Sequence, residues 1–276
     1  MSDRHYEEKK GSVSSRFIRL LQRFRLVFIV VAAGAVLFPI VYYIVDSINQ
    51  KTIAEGAKMM YELDQKNGAY RAAEDKDKKA AAEKELLDLV DKTASQFSGR
   101  YAGTYALLMG ANLDYQKLTA ADTADKKTPA LDMLRYLSRA VDSAGDGILA
   151  PVALNQLGTI VENLAALAPA ASGGGSAVSL EELQKIVPSK TIGTDKPAKP
   201  EDVAFDVYKY LVDQYPKSLY SAEALVNMGF LLEARGDAKG AYDLYSRLES
   251  GYPSTMWTKM AINRKIALEA NGLVTN

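Results

Sequence analysis

The sequence predicts an all-α protein, a single N-terminal transmembrane helix followed by an α-solenoid of antiparallel helical hairpins. Three observations carry this prediction. Leu26 to Val45 is a run of twenty residues without a charged side chain. No window sustains the period-two alternation of apolar and polar residues that marks a strand. A set of small, large apolar and aromatic residues recurs through the second half of the chain at the spacing of paired helices.

The N-terminal element comes first. At about 1.5 Å per residue a twenty-residue helix spans about 30 Å, the thickness of a bilayer core. Gly34 and Pro39 are tolerated in membrane helices, and Tyr42 and Tyr43 stand near one end, where aromatic rings favour the interface. Before the run stand Arg4, Lys9, Lys10, Arg16, Arg19, Arg23 and Arg25 against Asp3, Glu7 and Glu8. After it, residues 46–66 carry three lysines and four acids. The positive side stays in the cytoplasm. Residues 1–25 are therefore expected as a basic cytoplasmic tail, 26–45 as the membrane span and 46–276 outside, which in a bacterium places them in the periplasm, beyond an inner membrane crossed once. Ala33 to Ala35 offers a small-residue cleavage site, but apolar residues continue for ten positions beyond it, whereas a signal sequence ends at its cleavage site.

Two helices follow in a membrane-proximal segment, 46–100. In the first, 47–67, apolar residues recur at helical spacing: Ile48, Ile53, Ala57, Met60 and Leu63. The second, 76–96, begins with a lysine-rich solvated face and turns amphipathic through Leu86, Leu89, Val90 and Thr93. The helical domain itself is expected over 101–276.

Its clearest unit runs from Ala222 to Pro253. With Ala222 as position 1, Leu225 is at 4, Met228 at 7, Gly229 at 8 and Leu232 at 11. Ala241 is at 20, Tyr245 at 24, Leu248 at 27 and Pro253 at 32. Positions 4, 7 and 11 form one helix face, small residues at 8 and 20 permit close approach, the aromatic fills a groove, and proline ends the second helix. Gly236 and Asp237 supply the turn, with Asp237 as N-cap. Ala204, Tyr208, Leu211 and Pro216 repeat the second half; Leu154, Leu157, Gly158 and Val161 repeat the first. Ala106, Met109, Gly110 and Leu113 do so again, followed by Ala130, Leu134 and Leu137. Tyr215 to Ser218 and Tyr252 to Ser254 are cognate helix ends, and Gln96 to Ser98 is a worn copy. Three hairpins result, 101–144, 150–215 and 220–252. Ser254 to Ala270 is expected to cap the stack with a polar outer face made by Lys259, Arg264, Lys265 and Glu269. The glycine triplet Gly173 to Gly175 and the Pro/Lys-rich stretch after it predict a flexible insertion at about 168–200, with a short helix from Ser179 to Ile186.

This spacing resembles the tetratricopeptide (TPR) pattern of two antiparallel helices per unit. The order of basic tail, single span and repeat domain, opening near Gly99 to Leu108, resembles the YfgM-like family of bacterial inner-membrane proteins. That resemblance implies docking at the Sec translocon beside periplasmic chaperones.

Chemistry is sparse. The chain has no cysteine, which excludes disulfides, thiolate metal sites and a cysteine nucleophile. Its one histidine, His5, stands in the polar tail. No phosphate-binding glycine loop appears. Asp142 to Gly147 lacks calcium ligands at its third and twelfth loop positions, Ala144 and Ala153. The formal net charge is zero and basic residues are matched by acids, so nucleic acid is not an expected partner. No enzyme, cofactor or metal is expected. The expected function is a membrane-anchored periplasmic adaptor or scaffold that holds a peptide or helix of a partner protein in the groove of the repeats. The alternative is a structural component of another envelope machine: a flagellar motor collar, a cell-division complex or an outer-membrane assembly complex. Oligomeric state stays open. Asn227, Phe230, Glu233 and Arg235, on one helix of the best repeat, are the candidate partner contacts.

Overall fold

A computed structural model describes residues 25–120, 127–145, 147–166, 178–193 and 197–274, with side chains from residue 41 onward save Ala120 and Ala166. The basic tail with His5, the enlarged turn at 121–126, and Gly173 to Gly175 lie outside the described residues. Within them all regular structure is helical: α1 Arg25–Ala72, α2 Lys76–Gln96, α3 Tyr101–Ala120, α4 Lys127–Ala144, α5 Ala150–Ala166, α6 Leu180–Ile186, a 3-10 turn Ser189–Thr191, α7 Pro200–Gln214, α8 Leu219–Ala234, α9 Ala238–Gly251 and α10 Met256–Ala270.

Contacts divide the chain into two units, Met1–Glu55 and Gly56–Asn276. In the first, the backbone of the expected span Leu26–Val45 is helical, and its side chains before residue 41 lie outside the described residues. Val41, Tyr42, Tyr43, Ile44 and Val45 are all exposed. Among the described residues no helix is long and apolar enough to cross a membrane.

The second unit is an ordered succession. Each helix from α2 to α5 packs on the next, α5 packs on α7, and α7 to α10 again follow one another. Helix α8 also touches α5 and α10, the helices two steps away in the stack. This is the neighbour-to-neighbour packing of a solenoid. Helices α3 with α4, α5 with α7, and α8 with α9 form the three hairpins read from the sequence.

Local chemistry sets the ends. Arg235 caps α8, Gly236 follows at φ 81°, and the Asp237 N–H returns to the Leu232 carbonyl at 2.9 Å. Only glycine takes that backbone conformation without a Cβ penalty. The Asp237 carboxylate then accepts from Gly240 N–H and starts α9. Helices α7 and α9 stop at Tyr215 and Tyr252, the residues before Pro216 and Pro253, because a residue before proline is driven out of the helical region. Both prolines are exposed. The next helix starts three residues after each tyrosine, with Ser218 and Thr255 as N-caps. The true cognate of Ser218 is thus Thr255, one residue past the Ser254 that the sequence comparison reached. Three residues further on, Ser221 and Thr258 are buried, and their hydroxyls donate to the Tyr215 and Tyr252 carbonyls at 2.7 and 2.5 Å. The Tyr215 hydroxyl donates to the Gly145 carbonyl, and the Tyr252 hydroxyl to the Pro216 carbonyl, so each helix end is tied to the end of the hairpin before it.

The hairpins close where a ring lies on bare backbone. A Cβ added at Gly229 would fall 2.3 Å from Tyr245 Cε1, and one at Gly158 would fall 2.4 Å from Tyr208 Cε1. Tyr245 and Tyr208 are fully buried with Leu248, Leu211, Ala241 and Ala204 beside them. Leu154, Leu157, Leu225 and Met228 are buried on the facing helices. Leu232 is only partly buried, and Leu231 takes the deeper place in the core. In the first hairpin Leu134 is buried, yet the ring over Gly110 belongs to Tyr136, two residues on, with its atoms 3.0 Å from an added Cβ. Tyr136 packs against both apolar clusters of this unit, one built from α1 to α3 around Leu63, Leu86 and Leu113, the other from the rest.

Two expectations are corrected. Much of the insertion expected to be flexible at 168–200 is packed: Val178, Leu183, Val187 and Thr191 are buried. A capping box between Ser179 and Glu182 starts α6. The Lys190 ammonium donates to the Val141 carbonyl at 3.1 Å, and Gly193 N–H to Asp206 at 2.9 Å. The backbone hydrogen bond from Ser179, first among several, pulls the Glu182 carboxyl down to about 2. Helix α10 carries only part of its expected polar outer face: Lys259 and Asn263 are exposed, but the other three charges pair back onto the stack. Arg264 turns back to Glu233, Lys265 to Glu249, and Glu269 accepts from the Tyr242 hydroxyl. The outward residues include Met256, Ile262 and Ile266.

Replacing Gly229 by alanine should cost at least about 1–3 kcal/mol, because Tyr245 is fully enclosed and has no room to yield. Gly68 in α1 has nothing within 4 Å of an added Cβ, so Gly68→Ala should gain about 0.5–1 kcal/mol from helix propensity alone. Opposite shifts in thermal denaturation check the pair. Leu183→Ala should cost about 2–5 kcal/mol in the same assay if α6 is part of the core, and next to nothing if it is a loose insertion.

Candidate functional site

The glycine–tyrosine seams carry a polar counterpart. Four residues after each glycine, one turn along the same helix face, stands an acid: Asp114, Glu162 and Glu233. The Tyr245 hydroxyl donates to Glu233 Oε1 at 2.6 Å, and the Tyr208 hydroxyl to Glu162 Oε2 at 2.9 Å. Nineteen residues after Tyr208 and Tyr245, on the next helix of the stack, stands a third partner: Asn227 and Arg264. Asn227 Nδ2 donates to the Tyr208 hydroxyl at 3.2 Å. The Arg264 guanidinium reaches both oxygens of Glu233, with Nε at 3.0 Å from Oε1. Burial therefore leaves no tyrosine hydroxyl stranded at these two seams.

The electrostatics follow. Burial pushes the Tyr208 and Tyr245 hydroxyls far up, and their carboxylate neighbours push the same way. Burial raises the Glu162 carboxyl, and its hydrogen bond from Tyr208 only partly offsets this. Burial also acts upward on Glu233, but the Arg264 and Tyr245 hydrogen bonds outweigh it and hold this carboxyl below its ordinary value.

The first seam is built differently. Asp114 is 3% exposed; its Oδ1 pairs with Lys117 at 2.9 Å, while its Oδ2 has no partner among the described residues. Burial raises this carboxyl against the pull of Lys117. Lys117 also pairs with Glu83 of α2 at 2.6 Å. Asn155 is 7% exposed, and its Oδ1 likewise has no partner.

Asn155 is also among the residues lining a hollow of about 390 Å³ on the first helices of the three hairpins. Helix α3 contributes Asn112 and Tyr115, α4 contributes Met133, and α8 contributes Glu223. Helix α5 lines the middle with Asn155, Gln156, Thr159, Ile160 and Asn163. Side-chain amides are the commonest polar groups on the wall, which is otherwise largely apolar through Tyr115, Met133 and Ile160. Two other hollows are larger, at about 510 and 440 Å³, but their polar groups are matched within the chain. Asp206 accepts from Gly193 and Lys209 pairs with Asp213 in one; Arg139 pairs with Asp91 and Ser143 accepts from Gly99 in the other.

The four candidate partner contacts sit at seams instead. Asn227 is half-buried on Tyr208, and Phe230 meets the Tyr245 ring edge-on at 6.3 Å beneath Arg264. Glu233 is held as described, while Arg235 is exposed, pairs with Asp202 at 2.7 Å and lies over the Phe205 ring. None of the four lines the hollow. The residues that do line it carry no sequence signal of their own, since they come from four helices. Among the described residues no group of three or more His, Asp or Glu side chains is placed to hold a metal ion. Comparisons of the chain with protein-family models, curated proteins and solved structures return no match.

Glu233 gives a signed pH prediction. Its folded carboxyl lies below the ordinary 4.5, so the folded state binds this proton less readily than the unfolded chain. Its stabilisation is complete above about pH 4.5 and is lost as pH falls through the folded value. Glu233→Gln should cost about 1–3 kcal/mol at neutral pH in urea denaturation. The gap between variant and parent should shrink as pH drops below 4.5; a gap independent of pH would show that the carboxylate is not the stabilising form.

Proposed function

We propose that the protein is a membrane-anchored adaptor whose stacked hairpins hold a segment of a partner protein in the hollow between α3, α5 and α8. The observation that carries this reading is the hollow's wall: the amide side chains of Asn112, Asn155, Gln156 and Asn163, from successive hairpins, line it together with apolar surface. Side-chain amides both donate and accept, and so match the backbone of an extended peptide, which presents both.

The anchor rests on the uncharged run Leu26–Val45, its basic N-terminal flank and the exposure of all five apolar residues from Val41 to Val45. In this reading the tail is cytoplasmic and the hairpins are periplasmic. The TPR-like spacing and the YfgM-like layout favour a place beside the Sec translocon and its chaperones. A tether would hold the hollow near one membrane machine at high effective concentration.

A photo-reactive benzoylphenylalanine at Asn163, exposed at the hollow, is the test, with Lys217, exposed in the turn before α8, as control. Irradiation in native membranes should yield discrete protein adducts from position 163 and none of them from 217. Translocon subunits or chaperones would assign the machine proposed, whereas motor or envelope-assembly components would replace it. The same adducts from both positions, or none from 163, would end the adaptor reading.

A further inference from the structure

We propose that the edge of the stack where successive hairpins join lies on the bilayer surface, with Ile148, Leu219 and Met256 entering the lipid interface. This rests on the membrane-anchored reading and adds a second contact with lipid beyond the span.

The edge is continuous. It is made by the turns before α3, α5, α8 and α10. Gly99 N–H donates to the Ser143 hydroxyl at 3.1 Å, the Tyr215 hydroxyl to the Gly145 carbonyl at 2.8 Å, and the Tyr252 hydroxyl to the Pro216 carbonyl. Each turn is thus fastened to the one before it. The last three turns are followed by a large apolar residue at one register position. Ile148 stands ten residues before Gly158, and Leu219 ten before Gly229. Met256 follows Leu219 by thirty-seven, the interval from Tyr215 to Tyr252. These three side chains are 79, 70 and 64% exposed. Tyr101 and Tyr220, nine residues before Gly110 and Gly229, are exposed at the neighbouring position. A lone apolar side chain on a surface is ordinary. Recurrence at one position in successive units is not, because the packing of the stack asks nothing of a side chain that points to solvent.

The chemistry of the edge suits lipid. None of these five residues lines one of the three hollows, so they present points and not a cleft for a peptide. A bilayer interface yields to such points, and tyrosine rings are at home in it. The charged residues described in the turns are Arg100 and Lys217, both exposed and both basic, the sign that anionic headgroups attract. Asp146 lies outside the described residues.

The chain also enters this unit at the same edge. Gly56 is the first residue of the unit, and a Cβ added there would stand 3.1 Å from Ala102 Cβ and 3.5 Å from the Phe97 ring, on either side of the first turn. The uncharged run ends at Val45, eleven residues earlier. That stretch reaches at most about 40 Å even when fully extended. An anchored chain therefore keeps this edge at high effective concentration beside the bilayer, and modest apolar contacts suffice to seat it.

The chain has no cysteine, so a cysteine introduced singly carries a nitroxide at one known place. The test uses the full chain in liposomes of phosphatidylcholine and phosphatidylglycerol, labelled in turn at Ile148→Cys, Leu219→Cys, Lys239→Cys and Val36→Cys. Power-saturation EPR compares access to oxygen, which concentrates in lipid, with access to a water-soluble nickel chelate. The oxygen-to-nickel ratio at positions 148 and 219 should exceed severalfold that at 239, which is exposed at the start of α9. Position 36, within the span, should be immersed as well. Leu219→Gln should return the label at 148 towards water, and Lys239→Gln should leave it in place. Ratios at 148 and 219 equal to that at 239 would overturn the docking. Shielding of both labels from both reagents would put a second protein copy on the edge and overturn it too. In either case immersion at 36 leaves the anchor standing, whereas a label at 36 open to the chelate removes the anchored reading as well.

Discussion

The second unit is registered by tyrosine rings lying on glycine. A ring needs flat, bare backbone beneath it, and an added Cβ at Gly158 or Gly229 would enter the ring itself. Fixing the ring fixes the distance and roll of the two helices in a hairpin. It also fixes where the hydroxyl emerges, about one helical turn along, where the acid four residues after the glycine receives it. The third partner then comes from the next helix of the stack, so one ring joins closure of its own hairpin to docking of the next. Stacked repeats owe their stability to this coupling of neighbours.

The same device explains why one seam differs. The first hairpin keeps the glycine and the acid in register, but its tyrosine is shifted by two residues and Asp114 spends one oxygen on Lys117, which also serves Glu83 of α2. The charge demand of the preceding helix is met there at the expense of the seam. Among the described residues Asp114 Oδ2 is left without a partner there, whereas Glu162 and Glu233 are both engaged at the later seams.

Helix α10 shows how the stack treats its end. Arg264 and Lys265 are drawn inward because Glu233 and Glu249 stand on the preceding hairpin and need cations. The outward side mixes Lys259 and Asn263 with Ile262 and Ile266. A similar logic folds the stretch from Val178 to Ile192: its buried valines and leucine have a place between α4, α5 and α7, and Lys190 and Gly193 find acceptors there.

The sequence by itself determined the helices, their pairing and most of their ends. The signals are local or of fixed spacing: Pro216 and Pro253 after a helix, Gly236 with Asp237 at a turn, a small residue and an aromatic at matching positions of each hairpin. It did not reveal Tyr136 in place of Leu134, because both residues are apolar and the roll of α4 decides which one meets Gly110. Tertiary structure alone decided that Asn227, Phe230, Glu233 and Arg235 hold seams, that Arg264, Lys265 and Glu269 of α10 pair back onto the stack, and that Asn112, Asn155, Asn163 and Glu223 share one wall. Helical periodicity says which residues share a face. Which face meets solvent, a neighbour or a hollow depends on partners far away in sequence, and those are fixed only when the stack is assembled.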